Sequence, residues 1–122
     1  MKKVVWCLRS LLAAAILTFG VFSANADDRN VQWLYESCKM QDSDRHGICV
    51  GYIAGIGDLM HAFGNYSQSQ DVNVRAFSIC GNASYGAMVQ AFVDWAAANP
   101  QKWSENYLFG VAEALRVNWP CR

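Results

Sequence analysis

The sequence predicts an all-α fold, a small disulfide-bonded bundle of about four helices in two helical hairpins. Three observations predict it. Apolar residues recur at spacings of three and four along most of the chain, the period of an amphipathic helix. Polar and Pro-containing breaks divide that pattern into about four segments. Four cysteines, Cys38, Cys49, Cys80 and Cys121, lie at the edges of those segments. A chain this short gains little from its core alone, and crosslinks are the usual remedy.

The chain opens on a segment of a different character. Met1–Ala26 reads as a secretory signal peptide: Lys2, Lys3 and Arg9 are basic, Leu11–Phe22 is an apolar run, and Ala24, Asn25 and Ala26 form a small-x-small cleavage site. That run is too short for the ~20 residues of a spanning helix, so no membrane anchor is expected after cleavage. Cleavage after Ala26 removes Cys7 and leaves an even number of cysteines in one domain, 27–122. It also changes the charge. The whole chain is neutral, but losing Lys2, Lys3 and Arg9 leaves seven basic against ten acidic residues, a net of −3. Such a balance has no electrostatic footprint for nucleic acid or anionic lipid.

Within 27–122 each element has a local cause. Val31, Leu34, Tyr35 and Cys38 predict a first helix from about Asn30 to Lys39, which the polar run Gln41–Arg45 interrupts. Ile48, Cys49, Tyr52, Ile53, Ile56, Leu59, Met60 and Phe63 make a stripe for the second helix. Gly51, Gly55 and Gly57 lie inside it, at a cost of up to about 1 kcal/mol each relative to Ala. Gly51 and Gly55 are one turn apart, which suggests a smooth face where a neighbouring helix crosses closely. Gly64–Ser78 is polar and irregular. Ser84 is the expected N-cap of a third helix carrying Tyr85, Met88, Val89, Phe92, Trp95 and Ala96. That helix stops at Asn99, because the following Pro100 disfavours a helical conformation there. Ser104 is the expected cap of the fourth helix, with Glu105 in its first turn and Leu108, Val111, Ala112 and Leu115 on its buried face.

Four cysteines allow three connectivities, and helix order ranks them. Cys38 ends the first helix and Cys49 begins the second; Cys80 precedes the third and Cys121 follows the fourth. Pairing Cys38 with Cys49 and Cys80 with Cys121 therefore needs only two antiparallel hairpins. In the chain-entropy model the shorter loop contributes about 2.8 kcal/mol and the longer about 4 kcal/mol. A four-thiolate zinc site is the rival, but it lacks a C-x-x-C pair, and neither a metal nor a cofactor is expected.

Little else points to chemistry. His61 follows Asp58 by three residues, so the two share a helical face and could form a local pair or begin a catalytic dyad. No nucleophile motif accompanies them, and no enzymatic activity is expected. His46 lies in a polar turn and is expected to be solvated. The aromatic content says more. Trp33, Trp95, Trp103 and Trp119 exceed what a small helical core needs, and Trp is enriched at binding hot spots. Trp103 lies between the last two helices, either packed across their ends or offered to a partner.

Several of these residues form a pattern of their own. Cys49, Gly51, Tyr52, Ile53, Gly55 and Asp58 resemble the C-x-G-Y-I-x-G-x-x-D motif of the Rap/Tai family of type VI secretion immunity proteins. Cys80 before a capped helix, Trp95, Asn99-Pro100, and Ala112, Ala114 and Leu115 ahead of Trp119-Pro120-Cys121 match in the same order. Gly81-Asn82 departs from the family's usual apolar residue and Pro, and Asn99 from its frequent His. The resemblance implies a small periplasmic helical protein, often a homodimer, that binds a toxic peptidoglycan amidase and blocks its active-site cleft. The matched residues are structural, so no effector contacts are carried over. The expected partner-binding stretch is the connector Asn99, Pro100, Gln101, Lys102, Trp103 and Ser104, with Gly64–Arg75 second. A periplasmic stress or holdase protein of similar build is the alternative reading.

Overall fold

The computed structural model describes residues 29–41, 43–66, 74 and 77–122. The expected signal segment Met1–Ala26, with Cys7, and most of the Gly64–Arg75 stretch lie outside the described residues. Four helices follow one another: α1 Val31–Lys39, α2 Asp44–Tyr66, α3 Tyr85–Ala98 and α4 Tyr107–Asn118, with a short 3-10 turn at Pro100–Lys102. No strand occurs among the described residues, apart from an isolated antiparallel bridge between Asn30 and Asn106.

The helix ends follow from their caps. Asn30 Oδ1 accepts from the Trp33 N–H at 2.8 Å and starts α1. Ser84 Oγ accepts from the Ala87 N–H at 3.2 Å and starts α3, as its position before the apolar stripe implies. The start of α4 differs from expectation. Asn106, not Ser104, is the cap, its Oδ1 accepting from the Leu108 N–H at 2.9 Å. The reason is tertiary. The Glu105 carbonyl accepts from the Val31 N–H at 2.9 Å and the Trp103 carbonyl from the Gln32 N–H at 3.1 Å, which keeps residues 103–106 out of the helix. Glu105 therefore precedes α4 and forms an ion pair with Lys102 at 3.0 Å.

Each helix packs against the other three, and they enclose a core in which Leu34, Ile53, Met60, Phe92, Val111 and Leu115 are fully buried. The disulfides join Cys38 to Cys49 and Cys80 to Cys121, with Cα–Cα separations of 5.1 and 4.9 Å, inside the ordinary range for such bonds. Beside the first, Arg45 Nε donates to Ser37 Oγ at 3.3 Å, which in turn donates to the Trp33 carbonyl at 2.7 Å. The Ile79 N–H donates to the Met60 carbonyl at 3.1 Å and the Cys80 N–H to the Trp119 carbonyl at 3.0 Å, fixing the chain on its way into α3.

The stripe on α2 is divided. Cys49, Ile53 and Met60 are buried, Tyr52 and Ile56 half-buried, and Ile48, Leu59 and Phe63 exposed. The expected close crossing at Gly51 and Gly55 does not occur, since a Cβ built on either meets nothing within 4 Å. The close approaches lie elsewhere. Gly57 faces the Met88 side chain, and Gly64 lies against the Ile79 carbonyl. A Cβ on Gly110 would meet Val31 Cγ2 at 2.7 Å and the Trp95 ring at 3.0 Å. Of these neighbours the Ile79 backbone is the least able to yield. Gly64→Ala should therefore lower stability by about 1–3 kcal/mol by overpacking, despite the better helix propensity of Ala. Urea denaturation measures the change, and an unaltered midpoint would show that this contact relaxes freely.

Candidate functional site

The connector from Asn99 to Asn106 is built from its ends inward. Asn99 closes α3, its Nδ2 donating to the Trp95 carbonyl at 2.8 Å, and Gln101 Nε2 donates to Asn99 Oδ1 at 3.2 Å. The Trp103 indole N–H donates to the Ala96 carbonyl at 2.8 Å. Its ring lies 5.6 Å from that of Tyr35, over which Lys39 Nζ sits at 4.9 Å from the centroid. Trp103 thus packs across the end of α3 and onto α1, half-buried, and holds the connector in place. Pro100, Gln101 and Ser104 are exposed around it, while Asn99 and Lys102 are half-buried. The Glu105 carboxylate beside Lys102 raises the affinity of that ammonium for its proton, first through the hydrogen bond and then through its charge.

A second feature lies at the opposite end of α3. Asp58, His61, Asn82, Ser84, Tyr85 and Met88 line an open cleft of about 390 Å³. The Tyr85 hydroxyl donates to both Asp58 oxygens, at 3.0 and 3.3 Å, and this bond raises the pKa of the exposed phenol. His61 turns elsewhere, its Nδ1 lying 3.3 Å from Asn65 Nδ2. The Asp58–His61 pair expected from their spacing is therefore replaced by Asp58–Tyr85 across two helices. The two partners are 27 residues apart, and no periodicity within one helix could reveal them. Ser84 Oγ is engaged as the cap of α3. Among the described residues no group of three or more His, Cys, Asp and Glu could hold a metal ion.

The third feature is an aromatic cluster along α1, α2 and α4. Tyr107 meets Tyr52 edge-on at 4.5 Å and Trp33 at 6.4 Å, and the Arg45 guanidinium lies 5.2 Å from the centroid of the Trp33 ring. His46, expected in solvent, is half-buried, and its Nδ1 donates to the Cys38 carbonyl at 3.1 Å. Burial, and to a lesser degree the Tyr107 phenol beside it, pushes the Tyr52 pKa up to about 12. A raised folded pKa means that the folded state holds this proton more tightly than the unfolded chain. The resulting stability is complete below the unfolded tyrosine pKa of about 10 and is lost as pH rises through about 12. Tyr52→Phe should flatten the loss of stability across that window. Phenolate absorbance followed against pH, with and without Tyr52→Phe, checks this: the variant should lose amplitude near pH 12, and a loss near pH 10 instead would place Tyr52 among the freely titrating phenols.

These features combine a cross-linked frame with a pinned connector, an open cleft of mixed lining and an aromatic cluster. A comparison with family models matches the chain over residues 30–121 to the Rap1a immunity proteins. Comparisons with curated proteins and with solved structures found no match. The matched segment runs from the cap of α1 to the last disulfide cysteine and so covers the whole helical domain. This chain belongs to the Rap1a family of immunity proteins.

Proposed function

We propose that this protein is an exported, periplasmic immunity protein of type VI secretion, which binds a peptidoglycan amidase effector and occludes its active-site cleft. In this reading it works by binding, not by catalysis, and as a homodimer. The observation that carries the reading is the family match over residues 30–121. The build of the domain supports it, because an inhibitor that is rigid before binding loses little conformational freedom on docking. Two disulfides and the Trp103 contacts supply that rigidity.

The connector Asn99, Pro100, Gln101, Lys102, Trp103 and Ser104 is the proposed effector-binding stretch. Its exposed residues, Pro100, Gln101 and Ser104, are the ones a partner reaches first. Trp103 has a supporting role there, so its truncation disturbs the fold as well as the surface.

Calorimetric titration against the product of the neighbouring gene, together with an assay of peptidoglycan cleavage, tests the reading. Binding with loss of cleavage is the expected result. The double variant Gln101→Arg, Ser104→Arg should keep its circular dichroism spectrum and lose about 2 kcal/mol of binding, about thirtyfold. Trp103→Ala should instead lower both affinity and stability, by about 2–3 kcal/mol in the latter, since a half-buried indole and its hydrogen bond are removed. Unchanged affinity in the double variant moves the contact to the Gly64–Arg75 segment. Absence of any effector binding, with acid-triggered protection of unfolded clients, would return the holdase reading.

A further inference from the structure

The cleft between α2 and the start of α3 has two differently built walls. Helix α2 supplies Asp58 and His61 to one, and the chain from Gly81 to Met88 supplies the other. That second wall is fixed at both ends. The Cys80–Cys121 disulfide anchors the chain before Gly81, and the Ser84 cap starts α3 after it. Between them Gly81 has a φ of +94°, the left-handed conformation that glycine adopts without strain. Tyr85 is 50% exposed yet held, because its hydroxyl donates to both Asp58 oxygens on the facing helix. Both partners are exposed, so no buried polar group requires this bond. Its effect is to fix an aromatic ring beside a carboxylate before any ligand arrives, which lowers the cost of ordering on binding.

We propose that this cleft is a binding site for a neutral pyranose sugar, free or as a unit of a glycan chain. The proposal goes beyond the effector reading and does not rest on it. The polar groups decide the class of ligand. An ionised Asp58 only accepts, and one phenol leaves it lone pairs to spare. Asn65 Nδ2 only donates, so His61 Nδ1 accepts from it and the neutral imidazole carries its proton on Nε2. His61 thus offers a donor, and the Asn82 amide offers both a donor and an acceptor. An ammonium brings donors alone and would leave the His61 and Asn82 N–H groups unmatched. An anion brings acceptors alone and is repelled by Asp58. A hydroxyl both donates and accepts, and two adjacent ring hydroxyls can donate side by side to one carboxylate.

The apolar groups decide the shape. A pyranose presents C–H bonds on its flat faces, and the exposed ring of Tyr85 is a flat apolar surface with a polar tip. Ala83 and Met88 add apolar lining beside it. The cleft, about 390 Å³, lies at the small end of the ~300–1,000 Å³ of small-ligand sites and suits one or two sugar rings.

Amide chemical shifts of the purified, oxidised domain, followed by NMR during titration, test this. The probes are N-acetylglucosamine, its β-1,4-linked trimer, mannitol and methylammonium chloride. N-acetylglucosamine should shift the amides of residues 58–61 and 81–88. Half-saturation is expected at about 1 mM, the range for a ligand of about fifteen non-hydrogen atoms. Tighter binding of the trimer assigns the site to a glycan chain and equal binding to a free sugar; either result upholds the proposal. Mannitol, a flexible polyol without a flat face, should shift nothing. Asp58→Asn, which keeps the shape and exchanges an acceptor for a donor, should weaken binding about tenfold. Tyr85→Ala should do the same, whereas Tyr85→Phe, which keeps the ring and loses its tether, should cost about threefold. Both positions are exposed, so the circular dichroism spectra should not change. Absence of shifts with either sugar up to about 100 mM, equal shifts with mannitol, or undiminished binding by Asp58→Asn and Tyr85→Ala overturns the proposal. Shifts with methylammonium in place of the sugars would make this a cation site and overturn it too. None of these outcomes bears on effector binding, which the calorimetric titration measures separately.

Discussion

Neither disulfide joins the two halves of this domain. Cys38–Cys49 closes the α1–α2 hairpin and Cys80–Cys121 spans α3 and α4, so each crosslink stays within its own pair of helices. What holds the pairs together is the apolar interior between them, with a small set of backbone hydrogen bonds at its edges. Val31 and Gln32 donate to Glu105 and Trp103, Tyr107 donates to Arg29, and Ile79 donates to Met60. The start of α4, the position of the connector and the close approach at Gly64 all depend on this seam. Buried backbone donors must find acceptors, and the seam supplies them where helix ends meet.

This division explains which parts of the fold were legible in the sequence. Features fixed within one segment were readable: the apolar period of each helix, the Asn30–Lys39 start, the Ser84 cap, the stop before Pro100, and a disulfide pairing that follows helix order. Features fixed across the seam were not. Ser104 is a good cap by composition, but the pairing of residues 103–106 with the start of α1 moves the cap to Asn106. Asp58 and His61 have helical spacing, yet a tyrosine from another element takes the carboxylate. The glycines show the same limit. A sequence marks where a Cβ is missing but not what lies beyond it, and the tight neighbours are at Gly57, Gly64 and Gly110, not at Gly51 or Gly55.

The candidate site was partly legible for a related reason. The position of Trp103 between two helices marks it as unusual, and both readings of that position have physical content. Its indole N–H and ring bind inward, to Ala96 and Tyr35, and this leaves the polar residues around it facing out. An aromatic pin beneath a polar tip is a way to present a short loop in one shape. It separates the residue that sets the shape from the residues a partner would read, so the surface can change its chemistry without changing its geometry.

The confinement of each disulfide to one hairpin has a consequence for where the chain can fold. Opening both removes about 7 kcal/mol in the chain-entropy model, which is comparable to the whole stability of a domain this size. A thiol-reducing environment thus keeps the polypeptide close to its coil state, threadable and open to proteases. An oxidising one converts it, hairpin by hairpin, into a locked solid. Because neither bond needs the other hairpin to be in place, the two halves can mature in either order and dock afterwards. Redox potential is then one variable on which the stability of this fold depends.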